Sequence, residues 1–369
     1  MTHCILSSAL ISTVRMRFSE SRRLVYDGNS EWAYLRAHVS NLACTWMVLN
    51  TMHDAPPVHD LIAYFHRLGF QPSFLARGME GLVFDLGHDR VGKVWFSKPV
   101  EDVRLLQQFY DQLRDCPLRF LTPLIRDVVE MPNGIVASIE ERLPGTALKH
   151  FRDILPRDQI LREKTIASFV RVVTELSTIA DVRASRELSL INVRVPLGLA
   201  DTWGDTLAYV IQRRVEGSRA VLGRAIHDVD AILIRAVTAL RELPRVAPGV
   251  IHGDICTENI LVDPVTLEPT ALIDFGFLTA SGDPIFDAVV ATLIYDMYSP
   301  LAAESRRELH RRFAEGFGEI FIRRYPLYRA AYALATATAY SPEGNDGHFA
   351  WCAEILNTVD LHRLDSGVP

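Results

Sequence analysis

The sequence predicts an α+β protein in two unequal parts: a small antiparallel β-rich part carrying one helix, then a larger, mainly helical part. Three observations carry this. From Phe74 to Phe96 the chain runs in short β-like stretches punctuated by Gly and Asp, FLARGMEGLVFDLGHDRVGKVWF. Beyond Gly145 apolar residues recur at three- and four-residue intervals with many charges between them. From Val250 to Asp287 that helical character is interrupted by VIHGDICTENILVDPVTLEPTALIDFGFLTASGDPIFD, in which two short apolar runs flank a Pro-containing turn.

Taken in order, residues 1–51 hold no motif. Trp32, Tyr34, Leu35, Val39, Leu42 and Trp46 could share a helix face, but their flanks are irregular. The segment reads as an N-terminal extension or an over-long gene start, and the first part spans 52–143. An amphipathic helix opens at Val58 and closes at Gly69. Leu82–Leu86 and Val91–Phe96 read as antiparallel strands around a Gly-His-Asp turn. A helix over Val100–Leu113 follows, with Val103, Leu106, Phe109 and Leu113 on one face. Strands near Leu124–Glu130 and Gly134–Glu141 complete this part, which runs out in Leu-Pro-Gly at 143–145. The second part, 144–369, carries helices at Ile160–Thr178 and Thr206–Leu243, and then the hairpin strands Asn259–Val262 and Ala271–Ile273. Helices follow at Pro284–Tyr298, Ala302–Tyr325 and Leu327–Ala339.

Composition excludes several classes. The chain has 369 residues, enough for two parts with substantial cores, and a formal net charge of −6, which carries no general nucleic-acid footprint. Its five cysteines are far apart and form no CxxC pair, the pattern of free thiols in a reducing compartment rather than of disulfides or a zinc site. No apolar run approaches the ~18 residues of a membrane-spanning helix. The N-terminus, MTHCILSSALISTVR, lacks Lys or Arg before its short apolar core, unlike a signal peptide. A cytoplasmic protein is expected, as monomer or homodimer, with no nucleic-acid or membrane partner.

The chemistry concentrates at Val250–Asp287. Asp254 follows His-Gly, Asn259 lies five positions on, and Asp274 opens an Asp-Phe-Gly turn fifteen residues after Asn259. An Asp that orients an attacking hydroxyl, with an Asn and a second Asp as oxygen ligands for Mg2+, is what phosphoryl transfer from a magnesium nucleotide requires. Either aspartate alone could simply brace a turn; the spacing of all three favours chemistry. Asp283 reads as a helix cap before Pro284, and Asp287 as a carboxylate bracing the loop backbone. His252 reads as a loop-bracing ring.

Upstream, Gly78 and Gly81 flank a turn that could bring backbone N–H groups close to phosphates, and Arg77 and Glu80 read as solvated turn residues. Lys93 interrupts an apolar strand, where a lysine needs a reason, and can reach the α- and β-phosphates. Its carboxylate partner is expected on the following helix. Glu101 is the candidate there, against the alternative of a solvated acid at a helix start. Ala137–Gly145, with Glu141, reads as a strand leading into a linker whose backbone could meet an adenine edge, or as an ordinary strand exit.

The ordered set of Gly-rich hairpin, strand Lys93, Leu-Pro-Gly, His252-Gly-Asp254-x4-Asn259, Ile273-Asp-Phe-Gly and Gly282-Asp-Pro-x2-Asp287 resembles the aminoglycoside phosphotransferase family. The likeness covers about residues 58–300 and is strongest at 251–287. It implies a protein-kinase-like two-lobed fold, ATP as donor with GTP left open, and Mg2+. It also implies Asp254 as catalytic base, Asn259 and Asp274 as metal ligands, and Lys93 as a phosphate contact. Cys256-Thr-Glu stands where that family often has His-Pro-Gly, which alters the neighbouring substrate wall. The expected reaction is transfer of the γ-phosphate to a hydroxyl of a small molecule, an aminoglycoside-like antibiotic or a metabolite. The competing functions are a protein kinase, against which the short interval Gly276–Asp283 argues, and a nucleotide-binding scaffold without catalysis.

Overall fold

A computed structural model describes residues 57–364 apart from 79, 132–133, 155–157 and 197. The expected extension 1–51 lies outside the described residues. The Gly- and Asp-punctuated stretch folds as part of a five-stranded antiparallel sheet: β1 (Ser73–Arg77), β2 (Gly81–Gly87), β3 (Arg90–Trp95), β4 (Ile125–Glu130) and β5 (Val136–Glu141), in the order β1-β2-β3-β5-β4. The tight β2–β3 turn places His88 and Asp89 at positive φ. Gly81 is required for a different reason. A Cβ there would stand 2.1 Å from the Val94 carbonyl oxygen, so only a bare backbone can begin β2 against β3.

Period-two alternation divides the sheet's faces between two helices. Leu82, Phe84, Leu86, Val94, Ala137 and Ile139 pack with Leu61 and Phe65 of α1 (Val58–Arg67) in a small separate core. Trp95, Ile125 and Val136 instead pack with α2 (Val100–Arg114). The buried face of α2 runs Val103, Leu106, Phe109, Tyr110, Leu113, and it continues without interruption into the core of the helical part. Phe109 and Tyr110 lie 5.5 and 6.0 Å from the ring of Phe275. Each such buried aromatic contributes about 2–3 kcal/mol of burial.

The second part contains α3 (Leu148–Ile154), α4 (Gln159–Leu176), α5 (Trp203–Leu222) and α6 (Val229–Arg241) before the hairpin, and α7 (Ile285–Ile294), α8 (Ala302–Phe317), α9 (Glu319–Thr336), α10 (Gly347–Asn357) and α11 (Leu361–Leu364) after it. Asp158, Thr202 and Asp346 cap α4, α5 and α10 through their side-chain oxygens. Between the two helical sets, β6 (Thr146–Ala147), β8 (Ile260–Val262) and β9 (Pro269–Leu272) form one sheet, and β7 (Gly249–Ile251) pairs with β10 (Ala280–Gly282).

Several expectations are corrected. The single run Thr206–Leu243 is two helices, because Gly223 ends α5 and Asp228 at φ 52° turns the chain into α6. The break expected at Pro326 falls instead at Gly318, which takes φ 70°. Pro326 stays inside α9, where burial of Phe321, Leu327 and Tyr328 offsets its lost hydrogen bond. β1, an exposed edge strand, and the short pair β7–β10 carry no alternation that the sequence could reveal.

A buried ion pair fastens α7 to α9. Arg324 and Asp283 have side chains only 4% exposed, and the Asp283 carboxylate also accepts the Tyr328 hydroxyl at 2.5 Å. Its other oxygen accepts the amide of Ile285 at 3.1 Å, so the expected capping role is joined to a charge pair. Removing one partner leaves an uncompensated charge: Arg324→Met is expected to lower unfolding free energy by about 3–5 kcal/mol in a urea titration, with Asp283→Asn/Arg324→Met recovering part of it. In α10, His348 is buried against Thr336, Cys352 and Trp351, and burial drives its pKa down to about 4. The unfolded chain therefore takes up a proton near pH 6.5 that the folded chain refuses until about pH 4. Stability is expected to fall as pH drops through that window, by up to about 3 kcal/mol from this group. Urea midpoints measured across it should show a shallower slope for His348→Asn.

Candidate active site

β7 delivers His252-Gly253-Asp254 into the centre of the molecule. Gly253 has φ 77°, and a Cβ there would stand 2.2 Å from Cβ of Leu278, so no other residue fits. Asp287, in the first turn of α7, accepts the amides of His252 and Gly253 on separate oxygens at 2.8 and 2.7 Å. Burial pushes its pKa up to about 7 while those amides pull it down. The Thr279 hydroxyl closes the loop from the other side, donating to the His252 carbonyl at 3.1 Å and accepting the Gly276 amide at 2.8 Å.

His252 ties the loop to the Asp-Phe-Gly turn. Its Nε2 lies 3.0 Å from the Ile273 carbonyl and its Nδ1 3.2 Å from the Asp254 amide, an arrangement satisfied by a neutral ring protonated at Nε2. Burial lowers its pKa to about 4, in keeping with that tautomer. The ring also packs 4.3 Å from Phe275.

Around this frame the structure gathers four of the predicted residues. Asp274 leaves β9 with φ 65°, a left-handed conformation that Asp tolerates better than most residues and that clusters at functional sites. Its Oδ1 lies 2.6 Å from Nζ of Lys93, across 181 positions of sequence. Asn259 donates Nδ2 to the Asp254 carbonyl at 2.9 Å, with the Asp254 carboxylate at 3.5 Å. The Asp254 carboxyl is raised well above its usual range by burial, then by the negative charges of Asp274, Glu258 and Glu80. Burial would lower Lys93, but Asp274, Glu80 and Glu140 outweigh it and raise its pKa. Asp274, which burial would raise, is held low chiefly by Lys93.

Other predicted residues fall elsewhere. Glu101 is exposed in the first turn of α2, and no contact joins it to Lys93. The lysine's second carboxylate is Glu80, 3.6 Å away and 20% exposed. Glu80 is therefore not a solvated turn residue: the turn Gly78–Gly81 folds it inward, and the Gly78 amide is already bonded to the Gly81 carbonyl at 2.9 Å. Glu141 pairs with Arg126 and Arg114, and its amide donates to the Leu124 carbonyl. Sequence reasoning missed Lys98, which lies 2.9 Å from Glu80, and Glu140, which is bonded by the Ser138 hydroxyl. Lys98 follows the strand in a Ser-Lys-Pro stretch with no periodicity to mark it. Glu140 carried little signal, since it follows the buried run of β5 and stands beside a second glutamate.

Among the described residues no group of three or more His, Cys, Asp or Glu could hold a metal. The donor set that is present, one carboxylate and one amide oxygen, fits Mg2+ that takes its remaining oxygens from phosphates and water. Nδ2 of Asn259 is committed to Asp254, so the oxygen that could serve a metal is Oδ1. Beside Asp254, the half-buried Tyr340 and buried Tyr332 feel its charge, which together with burial raises both phenols. Tyr340 packs 4.7 Å from His348. The acid Glu258 is paired with Lys149 at 2.6 Å.

Residues 71–334 match the family described as "Phosphotransferase enzyme family". Among solved structures, a thermostable mutant of aminoglycoside phosphotransferase APH(4)-Ia, in ternary complex with ADP and hygromycin B, aligns at a TM-score of 0.59 and 17% identity over 84% of this chain and 98% of that one. The gentamicin complex of APH(2")-IIa aligns at 0.57 and 14% identity, covering 85% and 99%. The GDP complex of aminoglycoside 2'-phosphotransferase-IIIa aligns at 0.52 and 16%, covering 83% and 96%. At these identities the likeness establishes the protein-kinase-like fold. No curated protein matches the chain.

The two amide bonds to Asp287 give the loop its shape, and Asp287→Ala would leave both amides buried without an acceptor. A loss of about 2–6 kcal/mol is expected in chemical denaturation, at about 1–3 kcal/mol for each orphaned group.

Proposed function

The chain belongs to the phosphotransferase enzyme family, and on that premise we propose that it moves the γ-phosphoryl group of ATP to a hydroxyl of a small molecule. The observation that carries this reading is the meeting of Lys93 with Asp274 beside Asp254 and Asn259. One end of this arrangement is a cation on the sheet; the other is a set of oxygens on the hairpin loops. A phosphate chain laid across the pair would have its charge balanced by Lys93, with its acceptor held at Asp254.

In the proposed reaction Asp254 holds the acceptor hydroxyl and takes its proton as the oxygen attacks the γ-phosphorus. The bond to the β-phosphate oxygen breaks and ADP is the leaving group. The Asp254 carboxylate, whose contact is the Asn259 amide at 3.5 Å, is placed to accept that proton. Lys93 would orient the α- and β-phosphates. Asp274 and Asn259 would hold Mg2+, which offsets charge on the transferring group. His252, Gly253 and Asp287 touch no reacting atom in this scheme; they hold Asp254 in place.

The interval after the Asp-Phe-Gly turn supports a small acceptor over a protein. Ala280 already pairs with Ile251, and the Asp283–Arg324 pair follows at once. Little chain remains between these anchors to cradle a peptide. ATP, the hydroxyl acceptor and the residue roles all meet one experiment: an acceptor panel of aminoglycosides, macrolides, amino alcohols and sugars with Mg-ATP and Mg-GTP, read as nucleoside diphosphate release. In that assay Asp254→Asn is expected to cut turnover by about 10²–10⁴-fold while the dissociation constant for Mg-ATP stays within about twofold. Unchanged turnover would remove Asp254 from the reaction.

A further inference from the structure

Glu80 holds two lysines at once. One carboxylate oxygen lies 2.9 Å from Nζ of Lys98 and the other 3.6 Å from Nζ of Lys93. The three side chains are shielded, with exposures of 14% for Lys93, 16% for Lys98 and 20% for Glu80. They sit over the Asp-Phe-Gly turn: a Cβ built on Gly276 would lie 3.3 Å from Nζ of Lys98 and 3.8 Å from the Glu80 carboxylate. Trp95 supports both cations from below, with its ring 4.0 Å from Nζ of Lys93 and 5.4 Å from Nζ of Lys98.

We propose that Glu80 occupies the place of a phosphate between Lys93 and Lys98, and that a polyphosphate ligand displaces it, making Lys98 a second phosphate-binding cation.

The argument is one of charge and chain. Two shielded ammonium groups so close together favour an anion between them, and in the free protein the carboxylate of Glu80 supplies it. Glu80 stands in the short turn between β1 and β2, whereas Lys93 is fixed in the middle of the sheet with Val83 on one side and Ser138 on the other. The Glu80 carbonyl accepts the Phe96 amide at 2.9 Å, so its backbone stays in place and the carboxylate yields by rotation of its own side chain. An arriving polyphosphate offers more negative oxygens than a single carboxylate and can satisfy both lysines at once. With Glu80 displaced, Lys93 keeps Asp274 while Lys98 loses its 2.9 Å partner, so the larger share of new phosphate contact falls to Lys98.

The inference rests on the reading that the site takes a nucleotide, and its test separates the two by using inorganic tripolyphosphate beside Mg-ATP, with adenosine as the phosphate-free control. Binding is measured by calorimetry for the full chain and for Glu80→Gln, Lys98→Gln and Lys98→Arg, each first shown to be folded at the assay temperature by a cooperative unfolding transition above it. Glu80→Gln is expected to tighten both polyphosphates about fivefold, and Lys98→Gln to weaken them about tenfold. Lys98→Arg should recover most of the loss, and adenosine should not respond to any of the three. Weaker polyphosphate binding by Glu80→Gln would overturn the proposal, since Glu80 would then be supporting the ligand instead of yielding to it. Indifference of both polyphosphates to Lys98→Gln would overturn it too, and would leave the kinase reading standing. The expected pattern for tripolyphosphate without any binding of Mg-ATP would uphold the two-lysine seat and remove the nucleotide reading.

Discussion

The pairing of Lys93 with Asp274 is the constraint around which the rest is arranged. It joins the middle of the sheet to the hairpin of the helical part over 181 positions, at 2.6 Å. A lysine in an apolar strand and an aspartate in a left-handed backbone conformation are each unfavourable alone. Together they cancel charge, and the residues around them serve that meeting. Trp95 lies beneath the ammonium, the neutral ring of His252 fixes the carbonyl just before Asp274, and Phe275 anchors the turn in the core between α2 and His252.

Support spreads outward from there through carboxylates. Asp287 shapes the His-Gly-Asp turn through two amides, and Asp283 fastens the next helix to Arg324 and Tyr328. Each carboxylate in this stretch has its own set of donors, so aspartates close in sequence differ in kind. Asp254 keeps only the weak contact with Asn259 on its carboxylate and stays half-buried at the open side of the loop. The environment separates the bracing acids from Asp254, whose carboxylate is the least firmly held of the three.

What was legible in the sequence was local. Asp254, Asn259 and Asp274 were marked by spacing within one hairpin, and Lys93 by a charge breaking an apolar strand. The main strands and α2 followed from periodicity. Glu101 failed because choosing a lysine's partner requires knowing which way the first turn of a helix faces, and the spacing of residues within that helix does not say. Glu80 was misjudged for the converse reason: turn chemistry makes a glutamate look solvated until the sheet folds the turn over two lysines. Arg324 on α9 and Asp283 just before α7 lie 41 positions apart, and no periodic signal connects them. The helix break at Gly318, not Pro326, shows burial overriding a strong local rule.

The two faces of the sheet have unequal attachments, and this bears on how the chain could be recombined with a relative's. The α1 face closes on itself, whereas the α2 face shares Phe109 and Tyr110 with Phe275 and so belongs to the helical core. A crossover placed at the Leu-Pro-Gly linker would look natural on a topology diagram, yet it would cut through one continuous set of packed side chains. The exchangeable piece is smaller than the sheet: it is α1 with the face it covers, and everything from Trp95 inward has to be inherited together with the Asp-Phe-Gly turn.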